Sequence, residues 1–371
     1  MPKKPKPNAF DKLGVYDNGL ANAAEHKFQS EKLAEDLAHA FRQVSGDNNA
    51  LEQFRGLMYH RVLFSGLVSD PKKVGDCAKE LSRLLDRCSL QKYGSANLAK
   101  QLGESDATFY PSMIPHLMEE IEAKRDPAHM VQMLNGEIQR YAIRPEDIDA
   151  HAKVFRGVLE AAKPDHMGSV ARVMAEALKR EKMGIEDVPK AGEDIVGIFK
   201  GGVHELHGWR ADELKGLAVH AAKGVFLSML PILRTMAERG QRHEITQTVS
   251  NLDTQLRSRN LLSTKQIRAM LPLMAEVAGR GQAPHRVLNL ISEANREHPE
   301  LGWGPTTIKH LLTYVRKHPK SSPTEVVETT VMARVAGMEW PDVIKTQDRF
   351  FKKGHYPTPG TMKEYLGRFG K

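Results

Sequence analysis

Eight times along the chain a helix break is followed, in seven cases after an apolar residue, by residues that open helices, and the regularity of these breaks constrains the fold more than any other feature. A helix commonly ends on Gly or Asn in the left-handed conformation. The next apolar residue folds back onto the last turn, and Ser, Thr, Asp or Pro starts the following helix. That order recurs at Gly66, Gly103 (where Glu104 takes the apolar place), Ala142, Gly184, Gly224, Asn260, Gly302 and Gly337, at intervals of 37, 39, 42, 40, 36, 42 and 35 residues. An interval of this length holds one pair of antiparallel helices. Inside four of the intervals a second break marks the hairpin turn, at Lys163-Pro-Asp, Gly240-Gln-Arg-His, Gly279-Arg-Gly-Gln-Ala-Pro and His318-Pro-Lys-Ser-Ser-Pro.

Between the breaks, apolar residues return at helical spacing, as in Val170, Val173, Met174, Ala177 and Leu178, or Val287, Leu290, Ile291 and Ala294. Strand-like alternation is hard to find, and the predicted fold class is all-α. A typical unit has a first helix from Thr264 to Ala278 and a second from Pro284 to Glu297. Such a unit cannot bury its apolar stripe alone, so neighbours must stack, which predicts a helical-hairpin repeat solenoid. Counting a leading pair at about Ser30 to Phe64 and a trailing pair gives about nine antiparallel helix pairs. The organisation expected is an N-terminal arm over 1–28, N-terminal repeats over 29–200 and C-terminal repeats over 201–371. Gly201-Gly202 and Pro231 mark the middle as the least regular part, where a bend or a subdomain boundary is expected.

The arm opens Met1-Pro-Lys-Lys-Pro-Lys-Pro, basic and proline-rich, and is expected to be mobile. No apolar run reaches the roughly 20 residues of a membrane span, so no membrane partner is expected. The two cysteines, Cys77 and Cys88, lie eleven residues apart in one predicted helix, or roughly 16 Å at 1.5 Å per residue. They cannot pair, and are read as small core thiols of a reducing compartment rather than metal or redox groups. The net charge of +8 favours an anionic partner. From Lys309 to Lys371 there are 12 Lys and Arg against 6 Asp and Glu, so this stretch carries +6 of the total.

A hairpin of this length that closes on a basic helix end, a Gly, an apolar residue and a Pro resembles the pentatricopeptide repeat. The stretches that carry the resemblance are Phe350-Phe351-Lys352-Lys353-Gly354-His355-Tyr356-Pro357, leading into Thr361 to Leu366, and Gln139-Arg140-Tyr141-Ala142-Ile143-Arg144-Pro145, leading into Ile148. The resemblance implies a right-handed superhelix that binds single-stranded RNA, as in mitochondria or other organelles, where some members belong to ribosomes. It also implies base-reading positions. Carried over by spacing, these are His151 with Glu146, Lys363 with Thr358, Leu311 with Thr306, and Ala269 with Thr264. Leu311 and Ala269 have no side-chain group to hydrogen-bond a base, which turns the expectation from base reading towards backbone contacts.

The chain lacks a phosphate-binding loop ending in Gly-Lys-Ser or Gly-Lys-Thr, a Gly-x-Ser-x-Gly elbow and a His-Glu-x-x-His helix. No catalytic residue, cofactor or metal is therefore expected, and the chain is read as no enzyme. His204 and His207 have a spacing compatible with a metal, but the neighbouring Gly201, Gly202 and Gly208 suggest a loop. His116, Glu119 and Glu120 imitate an acid/base cluster and are expected on an exposed stripe. Met270 and Met274 are expected in the core. Nucleic-acid contacts are assigned to Lys309, Arg316, Lys317, Lys320, Lys345, Arg349, Lys352 and Lys353. Among these, Lys345, Arg349 and Lys352 form one helical stripe about 10 Å long. Tyr314 and Trp340 are candidate stacking surfaces. The function expected is a non-catalytic RNA-binding subunit of a ribonucleoprotein, such as an organellar ribosome, in contact with its other proteins. The alternative is a protein-interaction scaffold, including a bacterial effector delivered into host cells.

Overall fold

A computed structural model describes residues 95–369 except 106, 141, 201–203, 259–261 and 353–357, together with isolated positions between 77 and 93. The N-terminal arm, the hairpin expected from Ser30 to Phe64 and the mark at Gly66 lie outside these residues. Among the described residues there are fifteen α-helices and no strand. They are α1 (Ser95–Gly103), α2 (Tyr110–Glu122), α3 (Pro127–Ile138), α4 (Ile148–Ala161), α5 (Pro164–Lys179), α6 (Val188–Phe199), α7 (His204–His220) and α8 (Lys223–Glu238), then α9 (Arg242–Arg257), α10 (Thr264–Gly279), α11 (Pro284–Glu297), α12 (Pro305–Lys317), α13 (Pro323–Val335), α14 (Trp340–Lys352) and α15 (Pro359–Phe369).

The helix boundaries follow from local chemistry. Proline, with its φ already set and no N–H to satisfy, opens α3, α5, α11, α12 and α13. Asp126 and Ser263 accept from the free N–H groups of the first turns of α3 and α10. Two junctions use one device: the Asp187 carboxylate accepts from the Gly184 N–H at 2.9 Å, and Asp147 from the Arg144 N–H at 3.0 Å, closing the turns Ile185–Asp187 and Pro145–Asp147. Gly240, Gly281, Gly302 and Gly337 adopt positive φ at or just past helix ends, as the repeat grammar predicts, whereas the marks at Gly103 and Gly184 do not. Lys124 and Glu181 do the same without being glycine.

The helices pack on neighbours in sequence order. In the unit that ends at Arg180, α1, α3 and α5 form one row, and α2 packs on α4 in a second. In the unit that starts at Glu181, α6, α8, α10 and α12 stack successively, as do α7, α9, α11, α13 and α15. The core lies between and within the rows. On α8, Phe226, Met229, Leu230, Leu233 and Met236 are buried; on α10 the same role falls to Ile267, Met270, Leu271, Met274 and Val277. Met270 and Met274 are thus core residues, as expected from their spacing.

Polar cross-links between helices repeat the period. Asn135 Nδ2 donates to the Gln101 carbonyl 34 residues back at 2.7 Å. Ser292 donates to Gln255 across 37 residues, and Gln266 donates to the Trp303 carbonyl across 37. Bonds with this separation join one helix to its counterpart in the next unit, or to the loop that leads into it, so the period is written into the hydrogen bonds as well as the caps.

Three expectations are corrected. Gly224 does not end a helix; it lies in the first turn of α8, because Ala221 and Ala222 supply the break before it. The segment with His204 and His207 is not a loop, since α7 runs unbroken from His204 through Gly208 to His220. Gly201 and Gly202 lie outside the described residues. Pro231 marks no irregularity either. Met229-Leu230-Pro231 in α8 and Met270-Leu271-Pro272 in α10 are 41 residues apart, and Met113-Ile114-Pro115 in α2 has the same form. In each, a proline sits on the exposed side beside two buried residues, so the proline belongs to the repeat.

Candidate functional site

The basic residues of the C-terminal stretch sort into three groups. Lys309, Arg316 and Lys317 lie on α12, Lys320 follows it, and Lys345 and Arg349 lie on α14; all six are exposed. Arg316 is committed within the fold, at 3.4 Å from Glu276 of α10. Lys317 is committed too, at 3.2 Å from Asp348 of α14. Lys309, Lys320, Lys345 and Arg349 make no ion pair among the described residues. The side chain of Lys352 and the whole of Lys353 lie outside them.

Asp348 ties the two helices together. Besides Lys317 it accepts from the Tyr314 hydroxyl at 3.4 Å, and His318 Nε2 lies 3.6 Å away. Burial, and then the Asp348 charge, push the Tyr314 phenol above its ordinary range, and the residue stays a neutral donor. Tyr314 is buried with its ring on His318 and does not offer a stacking surface. Trp340 is half-buried, with the His310 ring 5.8 Å from it on one contact and the Arg334 guanidinium 5.5 Å from it on another. The carried-over base-reading positions divide as well. Leu311 is fully buried, whereas Glu146, Thr264, Thr306, Thr358 and Lys363 are exposed.

The imitation acid/base cluster has a structural explanation. Glu120 is not on an exposed stripe; it is fully buried, and His116 nearly so. Arg125 donates to Glu120 at 2.5 and 3.1 Å, and Arg156 of α4 donates to it at 2.9 Å. Arg156 also pairs with Glu119. The Glu120 carboxylate is thus taken up by two guanidiniums. Cys77 and Cys88 are buried and free, and burial, aided by Glu80 and Asp126 respectively, pushes both thiols up to about 12. Thiols at that value are not nucleophiles at neutral pH.

The period also brings into register residues that the sequence pattern alone leaves unassigned. Arg156, Arg234 and Arg316 hold the same position on α4, α8 and α12, three residues past the slot of the repeated proline. Each reaches back one unit to a carboxylate: Arg156 to Glu119 and Glu120, Arg234 to Glu193 at 2.6 Å and Asp194 at 3.2 Å, and Arg316 to Glu276. The signal was present as Arg–carboxylate pairs 36 to 41 residues apart, and aligning units on the proline reveals it.

Among the described residues no three His, Cys, Asp or Glu side chains gather as a metal site, and no helix is long and apolar enough to cross a membrane. No protein-family model, no curated protein and no solved structure matches this chain.

Proposed function

We propose that this chain is a non-catalytic helical-repeat protein that binds RNA through the phosphate backbone, with its C-terminal repeats as the contact face. The observation that carries the reading is the set of four exposed cations, Lys309, Lys320, Lys345 and Arg349, that no carboxylate among the described residues neutralises. They sit on or beside two helices that Asp348 links through Tyr314 and Lys317. The ladder arginines Arg156, Arg234 and Arg316, by contrast, are each matched to an acid one unit back. Cations left unmatched on neighbouring helices suit a polyanion, because each phosphate contact releases counterions. The buried Leu311 supports backbone contact over base-by-base reading. On this reading the hairpins build a right-handed superhelix similar to the pentatricopeptide class. The protein serves as a ribonucleoprotein subunit, such as one of an organellar ribosome.

The test is binding of the full chain to a mixed-sequence single-stranded RNA across a salt titration, beside a variant with Lys309, Lys320, Lys345 and Arg349 changed to Ala. Binding should weaken steeply with salt. At roughly 0.7 per phosphate on a single strand, the variant should lower the log–log slope by about 3. An RNA affinity that neither salt nor the variant changes would sink the proposal.

A further inference from the structure

The Arg–carboxylate ladder has a missing rung between α8 and α10. Where α4, α8 and α12 carry Arg156, Arg234 and Arg316, α10 carries Ala275. Where α2 and α10 carry the acceptors Glu119 and Glu276, α8 carries Thr235. With small side chains on both sides, the space stays open as a groove of about 690 Å³, lined by Gly224, Ser228, Pro231, Ile232 and Thr235 of α8 and by Arg268, Leu271, Pro272 and Ala275 of α10. That volume lies within the range of ordinary ligand sites.

Three features say what kind of group the groove takes. Its floor is apolar, formed by Ile232 and Leu271. Its two walls each contain a proline, and a proline inside a helix has no N–H to give to the carbonyl four residues earlier. The carbonyl of Arg268, a residue that lines the groove, therefore lacks the helical donor that position 272 would otherwise supply. Arg268, finally, is exposed and makes no ion pair among the described residues, unlike the ladder arginines. Ser228 likewise carries an uncommitted hydroxyl among those residues.

We propose that the groove between α8 and α10 is a docking site for a peptide segment. The segment sets an apolar side chain on Ile232 and Leu271, a backbone N–H against the Arg268 carbonyl freed by Pro272, and a carboxylate against the Arg268 guanidinium. The chemistry selects a peptide over a nucleic acid because the groove offers acceptors and an apolar floor with a single cation, whereas a polyanion needs several cations and donors. This site is separate from the basic face on α12 and α14 and does not depend on the RNA reading.

The test uses acetylated, amidated dodecapeptides that place two Leu and one Glu in every relative order within a Gly/Ser/Ala background, read by fluorescence anisotropy against the full chain. At least one peptide should bind with Kd below ~100 µM, near −5.5 kcal/mol. Its Gln analogue should bind about tenfold more weakly, a loss of about 1.4 kcal/mol. Arg268→Ala should abolish the Glu/Gln preference. The double variant Thr235→Glu with Ala275→Arg installs the rung that fills other junctions. It should keep its thermal midpoint, lose peptide binding at least tenfold and leave RNA binding unchanged. The proposal is overturned if no peptide of the set binds, if Glu and Gln peptides bind equally, or if the filled groove retains full peptide affinity. Loss of RNA binding in the double variant would assign the groove to the polyanion face and overturn it as well.

Discussion

The junction of α2 with α4 and the junction of α8 with α10 are built on the same frame and filled in opposite ways. Tyr110, Met113, Ile114 and Leu117 of α2 match Phe226, Met229, Leu230 and Leu233 of α8, all buried. The slot that holds Met236 in α8 and Val277 in α10 holds Glu120 in α2, and that acid draws Arg125 and Arg156 over it. At the second junction the slot is apolar and the ladder positions are Thr235 and Ala275, so a groove remains. The difference teaches that the repeat core is indifferent to what bridges its outer edge. Bridging is decided by two or three side chains per junction, and a junction is free to be closed for stability or left open for a ligand.

The largest test of this comparison is Glu120→Met, which installs the α8 residue in the α2 slot. Removing one member of a buried charge cluster leaves its partners uncompensated, and the cost should be about 3–5 kcal/mol. Urea denaturation should show it as a lower midpoint. Combining Glu120→Met with Arg156→Met should recover part of that loss, since it removes one of the two guanidiniums left uncompensated, and the other, Arg125, still has Glu160 at 3.5 Å. If the single and double variants are equally unstable, the slot is not interchangeable between units.

A second carboxylate lacks this clamp. Glu213 of α7 is partly buried, and one of its oxygens is buried without a hydrogen bond, so burial pushes its pKa up to about 7 despite a bond from Thr246 and the charge of Arg210. A folded value above the unfolded one of 4.5 means that the native chain holds the proton more tightly. Stability from this group is then complete below pH 4.5 and falls as pH rises to 7. Each tenfold gain in proton affinity on folding corresponds to about 1.4 kcal/mol, reduced here because solvent screens a side chain that is only partly buried. Glu213→Gln should therefore raise stability by about 2 kcal/mol at pH 8 and change little at pH 4. An effect equal at both values would mean that Glu213 is not charged at a cost.

The helices, their pairing and most of their limits were legible in the sequence because caps and turns are local chemistry. The predicted Thr264 to Ala278 and Pro284 to Glu297 differ from α10 and α11 by a single residue. The bridging was less legible, because Arg156 meets Glu120 only when two units are set in register, and nothing near either residue signals the meeting. The mid-helix prolines misled for a related reason. Read singly, Pro231 suggests a break; read with Pro272 and Pro115, it is a repeated position. The basic residues were legible as a group, but which of them are spent on Glu276 and Asp348 depends on packing across units.

Packing in the α1, α3 and α5 row offers a smaller test. Gly136 of α3 faces α5 so closely that an added Cβ would lie 2.6 Å from the Ala175 carbonyl oxygen and 3.1 Å from the Ala175 Cα. Both are backbone atoms, so the helices must separate. Gly136→Ala should lower stability by about 1–2 kcal/mol, a typical overpacking cost. A neutral result would show that the two helices slide apart freely.

The smallest effects separate two kinds of glycine that the repeat grammar reads alike. Gly302 has φ +64 with open space around its missing Cβ, so Ala there meets no clash but must adopt the left-handed conformation, at a cost of about 1 kcal/mol. Gly224 has no positive φ and equally open space, and it lies in the first turn of α8. Gly224→Ala should therefore stabilise by about 0.5 kcal/mol, through the lower entropy of the unfolded chain. Opposite signs in paired denaturation curves would confirm that Gly302 is required by the backbone and Gly224 is not. Gly224 then has no conformational reason to be glycine. What its absent side chain does provide is room, because it lines the groove between α8 and α10, and a methyl there should narrow the open junction while strengthening the fold around it.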